Sequence, residues 1–247
     1  MYVIGKRRQG TRSSQWQWRW ARFWMKFAVP GRLGRFATRI AILFVPPYKG
    51  TAPLARLTDR GFIAPSAVLH HSDLTIGSHV YIGDRVTIFE SRRGGSITIG
   101  NRVHLHQDTI IENGEGGVLT IGDGTSIQPR CQFNVYKGTL RIGSNVQIAA
   151  GCGFYPYNHD FQAEGDGVAK ELRTRGGIVI EDGVWIGFGV TVLDGVKIGR
   201  GAVIGAGAVV TQDLPEGAVA VGVPARVVKM RAQVERDSSR DRRRAGL

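Results

Sequence analysis

A six-residue phrase recurs along this chain: an aliphatic residue, a small or acidic one, two variable residues, a small one and a last variable position. It reads Ile76-Gly77-Ser78-His79-Val80-Tyr81, then Ile82-Gly83-Asp84-Arg85-Val86-Thr87, and later runs through Ile180, Ile186, Val192, Ile198, Ile204 and Val210. A fixed period of this kind governs the whole fold. Six residues cannot make a helical stripe of period 3.6, but they suit one short strand and one tight turn. The aliphatic residue and the small residue four places later share a pleat face, because strand side chains alternate. Three such strands close a triangular coil with large side chains inside. The expectation is an all-β solenoid.

A longer period overlies the short one. Ile76, Ile99, Ile121 and Ile142 each open an Ile-Gly unit, at separations of 23, 22 and 21 residues. Three hexads use fewer residues than that, so each coil must bulge at one corner. Gly94-Gly95, Gly116-Gly117, Gly138 and Gly176-Gly177 mark the bulges, where a positive φ is expected. Each precedes an apolar-polar-apolar strand signal such as Ile97-Thr98-Ile99 or Leu119-Thr120-Ile121. The 35 glycines follow from these corners, with no Gly-X-Y register. A solenoid of 247 residues can be a single stack, here spanning 61–225. Cys131 and Cys152 fall at equivalent inward positions, in a column with Val86, Thr109 and Val190. They read as small, reduced core residues rather than a disulfide, because in-register side chains point in parallel.

Charge divides the chain into three parts. Residues 1–60 carry 13 Lys/Arg and one acid, Asp59, while residues 226–247 carry 8 basic residues against three acids. The net +13 is thus a mildly acidic middle between a basic N-terminal arm and a basic C-terminal tail. The arm interleaves Trp16, Trp18, Trp20, Phe23, Trp24 and Phe27 with Arg19, Arg22 and Lys26. Such a segment can lie at an anionic membrane surface, or pack against the end of the solenoid. It lacks a recognition-helix pattern or an RNA-platform motif, so no nucleic-acid partner is expected. The run Ile40–Val45 is too short to span a bilayer, and Pro46-Pro47 follows it without a cleavage site.

Chemistry is expected where the repeat breaks, since loops on a rigid scaffold carry function. After Phe154 the hexads stop, and residues 155–177 form an insertion holding Asn158-His159-Asp160. His159 is its one histidine, and imidazole suits general-base work near neutral pH. His70, His71 and His79 read as surface residues. His104 and His106 flank Leu105 and point away from the core; His-x-His can bind a metal, but no third ligand sits at a persuasive spacing, so no metal is expected.

The stretch from Ile180 to Arg231 resembles the hexapeptide-repeat acetyltransferases, most of all the maltose, galactoside and polysaccharide O-acetyltransferases. The resemblance rests on Val184-Trp185-Ile186-Gly187, on Ile204-Gly205-Ala206-Gly207-Ala208-Val209-Val210-Thr211 and on Gly222-Val223-Pro224-Ala225-Arg226. With the Asn158-His159-Asp160 break it covers roughly residues 70–229. It implies a left-handed parallel β-helix, an exception to the usual right-handed crossover. It also implies a homotrimer with acetyl-CoA in a groove between subunits.

The family's roles then fall on residues of this chain. His159 matches the general base, and Trp185 the tryptophan beside the cofactor. The other cofactor contacts fall on Phe188, Ala206, Thr211, Gln212, Arg226 and Lys229. Phe188 and Gln212 depart from the pattern, standing where relatives often have a small residue and a lysine. Asn134 resembles the acceptor-binding asparagine; Asp160 is a second acceptor-side candidate, and Asp160 or Glu164 could orient the imidazole. The first 60 residues do not resemble the cap of the maltose and galactoside enzymes. That favours transfer of an acetyl group to a sugar, or lipid-linked sugar, of a cell-surface polysaccharide, by a cytoplasmic enzyme at the inner membrane face. Alternatives are an antibiotic O-acetyltransferase, a nucleotide-sugar N-acetyltransferase, a γ-class carbonic anhydrase (which needs three zinc-binding histidines) or a non-catalytic scaffold.

Overall fold

A computed structural model describes residues 13–29, 31–159 and 172–231. Short strands run in the order face one, face two, face three, and each hydrogen-bonds its counterpart one coil on. The faces are sheets of 9, 7 and 6 strands. Every inter-coil pairing is parallel until the end, where Arg226–Met230 folds back antiparallel on Ala218–Val221. This is the expected left-handed parallel β-helix. The closing strand extends beyond residue 225, so the C-terminal segment begins as part of the sheet rather than as a tail.

Alternation puts the aliphatic positions inside. Ile82, Leu105, Ile127, Ile148, Ile186 and Ile204 are buried along face one. Ile88, Ile111, Phe133, Phe154, Val192 and Val210 do the same along face two. Phe133 and Phe154, one coil apart, stack with ring centroids 4.7 Å apart and planes 8° off parallel. The register aligns Cys131 with Cys152, and both thiols are free and buried, sharing the Ala149 carbonyl at 3.2 Å.

The corners correct one expectation. Left-handed backbone recurs at the corners: at Arg85, Asp108, Arg130, Gly151, Gly189 and Gly207 where face one turns into face two, and at His79, Arg102, Gly124, Asn145, Gly183 and Gly201 where face three turns into face one. Among the bulge glycines only Gly116, Gly176 and Gly177 have positive φ. Close approach explains others: a Cβ on Gly117 or Gly138 would collide with the carbonyl oxygen of Val135 or Pro156. Asn113, fully buried, ties two bulges by donating to the Gly117 carbonyl at 2.6 Å and accepting from the Gly95 N–H at 3.0 Å.

The N-terminal arm is helical, which its charge pattern alone did not reveal. Helix α1 spans Ser13–Met25, α2 spans Arg32–Ala41, and a 3₁₀ segment spans Tyr48–Arg56. The helices form a hairpin in which the Trp20 indole N–H donates to the Ile40 carbonyl at 2.8 Å. Ala21, Met25, Ala41 and Leu54 are buried in one core with the solenoid. The 3₁₀ segment covers face one: the Thr51 and Tyr81 hydroxyls lie 2.9 Å apart, and Lys49 donates to Gln128 at 2.8 Å. His79 is therefore not a solvent-facing residue. Its Nδ1 lies 3.1 Å from the Thr58 carbonyl, and its Nε2 lies 3.3 Å from Asp59. His106 points away from the core, as expected, yet is buried all the same.

Candidate active site

The insertion leaves the solenoid after the face-two strand Gly153–Tyr155 and begins as a small hairpin. Asn158–His159 pairs antiparallel with Leu172–Arg173, with His159 opposite Leu172. The His159 side chain is exposed, and its ring meets Tyr157 edge to face at 6.0 Å. Asp160 and Glu164 lie outside the described residues.

Two groups hold the hairpin to the coils. Asp194, a buried carboxylate at the turn after the next face-two strand, accepts from Asn158 Nδ2 at 3.3 Å and Thr174 Oγ1 at 3.0 Å. It also accepts the backbone N–H groups of Arg175 at 2.6 Å and Gly177 at 3.0 Å. Lys137 Nζ donates to the Leu172 carbonyl at 2.6 Å. Both strands of the hairpin are thus tied to rigid coils, which suits precise placement of a side chain.

Below His159 runs a polar ledge on face two. Tyr136 packs edge to face on Tyr157 at 5.7 Å and donates its hydroxyl to Glu112 at 2.6 Å. Burial, then the bond to Glu112, pushes the Tyr136 phenol up to about 12, so it stays a donor at neutral pH. Asn134 is the register partner of Glu112, which places it on this ledge. The structure thus brings Asn134 and His159 to the same side of the solenoid. Asp194, Glu112 and Tyr136 were not singled out in the sequence. Stepping one coil back from Asn134 reaches Glu112, so the repeat carried that signal; Asp194 had none.

The remaining residues lie elsewhere. Trp185 stands on face one, with Gln147 and Val203 as neighbours across the sheet, and its side chain is 55% exposed. Phe188, 60% exposed, sits at the following corner against Gly151, and the Gly207 N–H beside Ala206 donates to the Phe188 carbonyl at 2.8 Å. Arg226 and Lys229 project from the closing strand, paired with Val221 and Val219. Trp185, Val203, Val219 and Lys229 therefore run outward across adjacent strands. Thr211 and Gln212 are exposed after the last face-two strand, a corner away. One chain thus carries a histidine ledge on face two and an aromatic-cationic ledge on face one. Among the described residues no group of three or more His, Cys, Asp or Glu could hold a metal ion.

Comparison with known proteins agrees with this architecture. Residues 177–212 match the family described as bacterial transferase hexapeptide (six repeats). The bifunctional protein GlmU of Listeria innocua is 32% identical over 163 residues, 60% of this chain and 32% of that protein. GlmU of Rubrobacter xylanophilus is 37% identical over 110 residues, 44% of this chain and 20% of that protein. The chain therefore spans a third or less of the length of these curated relatives. Among solved structures, AntD, an N-acyltransferase from Bacillus cereus in complex with dTDP and 3-hydroxybutyryl-CoA, is 26% identical. That superposition has a TM-score of 0.50 and covers 61% of this chain and 82% of AntD. By its repeats and its fold, the chain is similar to the hexapeptide-repeat β-helix transferases, with residues 177–212 carrying the family match.

Proposed function

We propose that this protein is an O-acetyltransferase that moves an acetyl group from acetyl-CoA to a sugar hydroxyl, as a cytoplasmic enzyme of cell-surface polysaccharide synthesis. The observation that carries the reading is His159, held by an anchored hairpin at the one long break in the repeat. The complex of AntD with an acyl-CoA supports an acyl-CoA donor here.

The face-one ledge fits such a donor. Arg226 and Lys229 offer cationic donors for phosphates, and the Trp185 and Phe188 rings offer apolar surface for the rest of the molecule. The donor supplies an activated thioester. An alcohol is a poor nucleophile at neutral pH, so His159 takes the acceptor hydroxyl proton as the oxygen bonds to the acyl carbon. The carbon–sulfur bond breaks, and His159 returns the proton to the departing thiolate, leaving an acetyl ester and free thiol. A backbone N–H at a solenoid corner is the donor for the developing oxyanion. Asn134 would face the acceptor. Neither cysteine is a nucleophile here: the hydrogen bond with Cys152 and burial push the Cys131 thiol up, and both side chains point into the core.

Trp185 and His159 stand on different faces of one chain, which supports a site completed by a second copy. A homotrimer, each groove shared by two subunits, meets this need. AntD, as an N-acyltransferase bound to dTDP, favours a second reading: transfer to the amine of a nucleotide sugar. Thiol release from acetyl-CoA, followed across sugars, lipid-linked sugars, amino sugars on nucleotides and aminoglycosides, separates the readings. Turnover with a hydroxyl acceptor supports the first; turnover confined to amine acceptors selects the second.

A further inference from the structure

The α1–α2 hairpin is packed on one side only. Its inner residues Ala21, Met25, Ala37 and Ala41 are buried, whereas Phe23, Phe27, Leu33, Phe36 and Leu43 turn outward. Leu33 is 83% exposed, Leu43 64% and Phe36 59%, far more than single apolar side chains scattered on a surface. Cations share this outer side: Arg19, Arg22, Lys26, Arg32, Arg35 and Arg39 are all exposed, and none forms an ion pair among the described residues. The first carboxylate side chain in the sequence is Asp59. Position along the solenoid matters too. A cavity of about 780 Å³ separates Gly34, Arg35 and Thr38 of α2 from Ile63, Leu69 and Ile76 of the first coil. Helix α2 thus caps the first coil, and its apolar outer side faces away from the stack.

We propose that this hairpin docks the protein on an anionic lipid bilayer. The exposed Phe and Leu side chains enter the headgroup–acyl boundary while the arginines and Lys26 reach lipid phosphates, as an interfacial amphipathic helix does. Among the described residues no helix is long and apolar enough to cross a membrane, so contact is at the surface. Two terms act together: apolar burial, and about 1 kcal/mol for each surface-proximal cation. In this pose His159, which follows the fifth coil, stands about 19 Å above the first at an inter-strand spacing near 4.8 Å. That height suits an acceptor sugar at the far end of a lipid-linked oligosaccharide rather than one beside the lipid phosphate. This last step rests on the acyl-transfer reading; the docking does not.

Vesicle co-sedimentation of the full chain tests the docking without any activity measurement. Binding is expected to vesicles of phosphatidylcholine with phosphatidylglycerol, to weaken as salt screens the charges, and to be small for phosphatidylcholine alone. Leu33→Glu with Phe36→Glu should lower binding at least about tenfold, and Arg32→Gln with Arg39→Gln about tenfold or more. These side chains are exposed, so both variants should melt like the parent. Equal binding of parent and variants, or no binding to anionic vesicles at low salt, overturns the proposal. So does loss of the native oligomer in either variant under light scattering, which would make this face a contact between copies of the chain. If docking holds and no acyl transfer is found, only the inference about the acceptor fails.

Discussion

Asp194 accepts the side-chain amide of Asn158 at 3.3 Å, one residue before His159, although the two are 36 positions apart. The same carboxylate accepts the backbone N–H groups of Arg175 and Gly177, just past the far strand of the His159 hairpin. Asp194→Ala would orphan those donors at a buried site, at a cost of about 2–3 kcal/mol. We expect Tm to fall by about 5–10 °C and amide exchange to speed up at 158–159 and 172–175 more than in the coils. Unchanged exchange at the hairpin would show that Asp194 does not anchor it.

His159→Ala is expected to lower kcat by roughly 10²–10⁴ and to leave acetyl-CoA binding nearly unchanged, because the donor ledge is on another face. Steady-state kinetics with an identified acceptor, together with calorimetric titration of CoA, check both halves. A variant retaining more than about a tenth of parent activity contradicts the assignment.

The proposed shared groove makes a prediction about assembly. Light scattering should give a mass about three times the 26.9 kDa of one chain. Mixing His159→Ala with Trp185→Ala subunits should restore part of the activity, since some grooves would then carry both native residues. A fully active monomer would refute the shared groove.

Stability should fall on the acid side of neutrality. Burial, with His104 and Lys49 nearby, holds the His106 imidazole down from its ordinary 6.5 to about 4. Between those values the unfolded chain binds a proton that the folded chain does not, so stability present above about pH 6.5 is lost as pH drops toward 4. His104, lowered by burial and by Arg56, contributes in the same direction. His106→Leu should remove part of this slope. Thermal melts at about pH 4.5 and 7 should show the parent losing more Tm than the variant, by on the order of 5 °C. Parallel curves would mean that His106 takes up its proton without unfolding.

Much of the architecture was readable along the chain, because a hexad and a two-residue alternation are local signals. Ile82, Leu105 and Ile127 could be placed inside, Cys131 and Cys152 aligned, and His159 put in a break, before any contact was known. What only the tertiary structure decided depends on contacts between coils or between unlike elements. The tie from Asp194 to Asn158 spans a resumed coil and an insertion, and no period connects them. Tyr136 reaches both Glu112 and Tyr157 because three neighbouring coils stack in register with unequal bulges. His79 and His106 sit at outward positions, and the alternation would leave both in water. His106 is buried and His79 half-buried because the arm folds back on them, and an amphipathic segment carries no sequence mark of the surface it will cover. Likewise the sequence shows that the arm is basic and aromatic, but only packing selects which rings, such as Phe36, are left facing out.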